Sequence, residues 1–79
     1  MALYLFGYLT DDFFGRVVVA PSSQSVGRLA EQLIAWSWSP ETESPFVVTN
    51  EAGDELDPDA ALTEAGLANG DIFTVWRWP

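Results

Sequence analysis

The sequence contains no cysteine, no histidine and no lysine. Without cysteine there is no disulfide, no zinc finger and no thiol nucleophile. Without His or Lys, Ser22, Ser23, Ser25, Ser37, Ser39 and Ser44 have no side-chain base to take a hydroxyl proton. Cations are scarce too: Arg16, Arg28 and Arg77 stand against 12 Asp and Glu, a net charge of −9. That balance argues against nucleic acid or anionic lipid as a partner. Apolar runs such as Val17 to Pro21 fall far short of the ~20 residues needed to span a bilayer. The opening Met1-Ala2-Leu3-Tyr4 lacks the basic region and cleavage site of a signal peptide, so no membrane insertion and a bacterial-style cytoplasmic location are expected.

What is present is apolar. The chain has 79 residues, 48% of them hydrophobic, with 4 Trp, too much for a disordered segment despite the charge. Its length suits a single domain over residues 1–79 with one core. A chain this small buries only roughly 60% of its unfolded surface, so its stability margin is thin.

Leu3 to Thr10 alternates as a strand, with Leu3, Leu5 and Leu9 on one face and Tyr4, Phe6 and Tyr8 on the other. Thr10-Asp11-Asp12 is turn chemistry. Phe14 to Ala20 follows as a β-branched strand, with Gly15 suggesting a bulge, so the two form a hairpin. Ser25 is a helix N-cap for Val26, Leu29, Ala30, Leu33 and Ile34, which fall on one helical stripe. Trp36 and Trp38 flank that stripe, and Ser39-Pro40 stops the helix. Phe46 to Thr49 is a third strand, turned by Asn50 to Gly53. Leu56 belongs to a very short fourth strand that Pro58 ends, and Asp59 to Ala68 is a compact helical turn or loop anchored by Leu62 and Leu67. Gly70-Asp71 leads into the last strand, Ile72 to Trp78.

An amphipathic helix must lay its stripe across one face of the sheet, and the last strand fits beside the first in parallel. The expected class is α+β: a β-grasp with a mixed four- to five-stranded sheet and one helix across one face. The residues that carry this pattern resemble ubiquitin-like domains. Val17 to Ser22 with Ser25-Val26 is similar to their second strand and helix start. The run from Leu62-Thr63-Glu64 to Gly70-Asp71 is similar to their closing turn. The resemblance covers essentially the whole chain.

Modifiers and sulfur carriers of this kind end in Gly-Gly, whereas this chain ends Arg77-Trp78-Pro79, which argues against conjugation unless the natural chain continues. The stretch from Asp12-Phe13 through Val17-Val18-Val19 to Ser25, Ala30-Glu31 and Leu33 looks like the small ubiquitin-like subunit of multicomponent toluene monooxygenases, system protein B. That resemblance implies a structural partner of a large diiron hydroxylase subunit, with no metal centre of its own. Asn69-Gly70-Asp71 looks more like the ubiquitin-like component of type VII secretion systems.

By alternation, Leu3, Leu5, Val17, Val19, Phe73 and Val75 are expected to face the helix. Tyr4, Phe6, Tyr8, Val18, Trp76 and Trp78 are then left on the outer face with Arg16 and Thr74. So many aromatics on a face normally polar make a protein-binding surface, for a hydroxylase-like subunit or a second copy in a homodimer. The competing structural account is that some rings cover loops, such as the connector Glu41 to Ser44. Asp54 to Asp59 is the densest acidic stretch, but Gly53 precedes the acids and Pro58 breaks the alternation a calcium loop requires. No metal, no cofactor and no catalytic residue is expected, and the arginines read as surface ion-pair partners; Arg77, between Trp76 and Trp78, reads first as a charge that keeps the last strand soluble and second as a cation–π partner.

Overall fold

The computed structural model describes residues 1–10, 15–37 and 45–77. Four strands, β1 (Ala2–Leu9), β2 (Arg16–Pro21), β3 (Phe46–Asn50) and β4 (Ile72–Arg77), and one helix, α1 (Val26–Ala35), follow one another as β1-β2-α1-β3-β4. The sheet order is β2-β1-β4-β3. β1 pairs antiparallel with β2 and parallel with β4, and β3 pairs antiparallel with β4.

Strict alternation sets β1, whose Leu3, Leu5 and Leu9 are buried while Tyr4, Phe6 and Tyr8 are exposed. α1 lies over the inward face with its stripe of Val26, Leu29, Ala30, Leu33 and Ile34 buried. Phe73, Val75 and Val48 complete the sheet side of the core, and Leu62 and Leu67 close it from the β3–β4 connection. Gly7 lies beside Phe73 across the strand pair; a Cβ there would come within 2.6 Å of Phe73 Cζ. The core ring therefore occupies space that any side chain at position 7 would need.

The helix start is built by two segments. Ser25 Oγ accepts from the Arg28 amide at 3.2 Å, and the carbonyls of Ala60 and Pro58 accept from the Val26 and Gly27 amides, each at 2.9 Å. Helical N–H groups that have no partner within α1 are thereby satisfied. Removing the cap with Ser25→Ala is expected to cost about 1 kcal/mol. In a domain of this size that lowers the thermal midpoint by about 4–8 °C, readable by circular dichroism.

Several expectations are corrected. β2 is out of phase with the reading from sequence: Val18 is buried, whereas Val17 and Val19 are 57% and 59% exposed. The reason is pairing, since Leu5 stands opposite Val18 and directly opposed residues share a face. The same register moves Arg16, opposite Gly7, to the helix side. Gly15 lies just outside β2, which begins at Arg16. Leu56 forms no strand; an isolated bridge joins Glu55 to Thr49, and the Leu56 amide donates to the Val48 carbonyl at 2.8 Å. The sheet thus has four strands. The helix ends at Ala35, short of Pro40, where the Trp36 and Ser37 amides donate to the Leu33 and Ile34 carbonyls. Asp11, Asp12, Phe13, Phe14, Trp38, Ser39, Pro40, the connector Glu41 to Ser44, and Trp78 lie outside the described residues.

Candidate functional site: the outer face of the sheet

The face turned away from α1 is continuous across all four strands. Val17 and Val19 on β2 stand opposite Phe6 and Tyr4 on β1. Phe6 and Tyr8 stand beside Ile72 and Thr74 on β4, and Trp76 stands opposite Val47 on β3. Tyr4 is 48% exposed, Tyr8 44% and Trp76 47%, and Phe6 is somewhat less so.

The rings are held in place by their surroundings. Tyr4 and Phe6 meet edge to face, with centroids 6.3 Å apart and planes at 88°. That geometry contributes about 0.5–1.5 kcal/mol beyond burial. The Tyr8 ring lies against Gly15, where a Cβ would come within 2.5 Å of its Cε1. Trp76 Nε1 donates to Thr49 Oγ1 at 2.8 Å across the β3–β4 pair. The polar atom of the indole is satisfied internally, and the rest of the ring presents carbon outward. Rigid aromatic surface of this kind costs little side-chain entropy when a partner covers it.

Of the residues expected to form this surface, Tyr4, Phe6, Tyr8 and Trp76 lie on it together, Val18 does not, and Trp78 lies outside the described residues. Val17 and Val19 were missed, as were the half-buried Ile72 and Val47. Residue type carried no signal for β2, because Val17, Val18 and Val19 are apolar alike.

The acids serve the loops. Asp57 Oδ1 accepts from the Asp59 amide, Glu64 Oε1 from the Ala61 amide and Asp71 Oδ2 from the Ala68 amide, at 2.9–3.0 Å. Among the described residues no group of three or more His, Cys, Asp or Glu is placed to hold a metal ion. No described helix is long and apolar enough to cross a membrane.

No protein-family model matches the sequence, and no curated protein matches it. Solved structures do match. A chain of the toluene 4-monooxygenase HD complex with the inhibitor 4-bromobenzoate is similar at a TM-score of 0.80 and 19% identity, over 99% of this chain and 100% of that one. Ubiquitin from Caldiarchaeum subterraneum is similar at 0.79 and 16% identity, over 100% of this chain and 96% of that one. This is the ubiquitin-like β-grasp fold. The EccD5 ubiquitin-like domain from Mycobacterium xenopi shares it at 0.75 and 15% identity, over 99% of this chain and 96% of that one. In the ubiquitin-like frame the closing motif has a physical role. Asn69 Oδ1 accepts from the Tyr4 amide at 2.9 Å, the Gly70 amide donates to the Tyr4 carbonyl at 2.8 Å, and the Phe6 amide donates to the Asp71 carbonyl at 2.9 Å. The motif therefore seats β4 against β1 in parallel, and Gly70 takes the required positive φ of 84°.

Proposed function

We propose that this ubiquitin-like chain is a non-enzymatic subunit that binds another protein through the outer face of its sheet, and that its partner is the large hydroxylase subunit of a cytoplasmic multicomponent diiron monooxygenase. The observation that carries the reading is the uncovered aromatic face, with Tyr4, Phe6, Tyr8 and Trp76 exposed beside Val17 and Val19. An apolar sheet face of this kind on a soluble chain marks a surface meant to be covered. Tyr and Trp are enriched among the residues that dominate binding energy at protein interfaces. The likeness to a chain of a toluene monooxygenase complex, complete over both chains, supports the choice of partner.

The test is coexpression with the diiron hydroxylase large subunit of the same host. Co-migration on size exclusion, with slowed amide exchange in β1 and β4, is expected. Separate migration would overturn the assignment. Phe6→Ala and Trp76→Ala are each expected to weaken that association by about 30-fold, the scale of a 2 kcal/mol hot spot, while the chain stays folded with a stability loss of about 1–3 kcal/mol. Calorimetric titration and thermal unfolding together check this; a loss of folding would place the ring in the core. The likeness to the EccD5 domain supports a second reading, a component of a type VII secretion apparatus. Co-migration with a protein of that apparatus, and not with a hydroxylase, would select it.

A further inference from the structure

Charge is segregated about the sheet. None of the described strand residues that point to the outer face carries a charge, and Tyr4, Phe6, Tyr8, Val17, Val19 and Trp76 are its large exposed apolar residues. Alternation turns Arg16 and Arg77 to the opposite side, in phase with Gly7 and Val75, and Arg28 lies on α1. Acids also stand in the loops at one end of the sheet. Glu51 and Asp71 line one hollow with Ile72, which pairs with Phe6. The whole chain carries −9.

Resting on the reading that this face binds protein, we propose that its occupant is a cationic partner surface: an apolar patch bordered by arginine or lysine. Three features favour such a patch. The faces of Tyr4, Phe6, Tyr8 and Trp76 attract cations through their quadrupoles. The exposed Glu51 carboxylate, in the turn at the Ile72 end, can accept charge-assisted hydrogen bonds. The long-range field of an acidic chain speeds encounter with a basic partner and slows encounter with an acidic one. A second copy is disfavoured on the same ground, since it brings −9 against −9.

The test uses defined probes on the isotopically labelled full chain. The peptides acetyl-Arg-Leu-Trp-Arg-amide and acetyl-Glu-Leu-Trp-Glu-amide are titrated while amide and indole resonances are followed. The arginine peptide is expected to shift Tyr4, Phe6, Val17 and the Trp76 indole, with at least tenfold higher affinity than the glutamate peptide. Raising salt from 50 to 500 mM is expected to weaken it at least fivefold, and Glu51→Arg at least threefold. Equal shifts of this face by both peptides would overturn the proposal while leaving the face as a binding surface. Shifts confined to α1 and the loops, or absent altogether, would overturn both. A dimer at low salt that Trp76→Ala disperses would assign the face to a second copy and also overturn the proposal.

Discussion

Phe73→Ala is expected to remove a large share of the domain's stability and to lower its urea midpoint sharply. Phe73 is fully buried and stands at the meeting of β4, β1 and α1, with Gly7 and Leu33 close by. Truncating a buried phenylalanine to alanine costs about 3–5 kcal/mol, from lost transfer free energy and the cavity left behind. Net stability runs at about 0.05–0.15 kcal/mol per residue. For 79 residues that gives about 4–12 kcal/mol in all. The loss is therefore a large share of the total, with no disulfide to limit the unfolded ensemble. Urea titration followed by tryptophan fluorescence checks it. A midpoint within 0.3 M of the parent, roughly 0.5 kcal/mol at a typical slope, would show that the ring is not central to the core.

Gly7→Ala tests the same packing from the other side. Its Cβ would come within 2.6 Å of Phe73 Cζ and 3.1 Å of Leu33 Cδ2, so the ring or the strand must shift. Overpacking of this kind costs about 1–3 kcal/mol. Because the conflict is with one ring, Gly7→Ala combined with Phe73→Leu is expected to lose less than the sum of the two single losses. The coupling should lie within the 0.5–3 kcal/mol seen for residues in contact. Equilibrium unfolding of the four proteins in the cycle gives that coupling, and strict additivity would show that the two positions do not share space.

Much of the fold was legible because its signals are redundant. The stripe Val26, Leu29, Ala30, Leu33, Ile34 repeats at helical spacing, and all five residues are buried. Leu62 and Leu67 reach the core from a stretch without regular structure because the segment is otherwise small or polar, leaving them as its apolar anchors. β1 alternates large aliphatic and aromatic residues, so either phase yields the same two faces, and the aromatic one falls outward.

β2 had no such redundancy. Val17-Val18-Val19 is apolar at every position, and the residue type does not say which valine is inward. Only the pairing sum with β1 decides, and that depends on the length of the turn. The Leu56 segment was legible as a place where the chain returns to the sheet. It was not legible as a single bridge, because one leucine and one backbone bond carry no period.

The rims of the sheet differ from its face. On one side the return at Asp54 to Leu56 bonds to β3 through Asn50 and Val48. On the other, Pro21 has no amide hydrogen and Gln32 Nε2 donates to the Val19 carbonyl at 3.3 Å. Among the described residues these contacts occupy some of the main-chain groups that would template further strands, which blunts strand addition at both flanks. When this protein crowds, contact between molecules is left to side chains stacking flat against side chains, which dilution can undo.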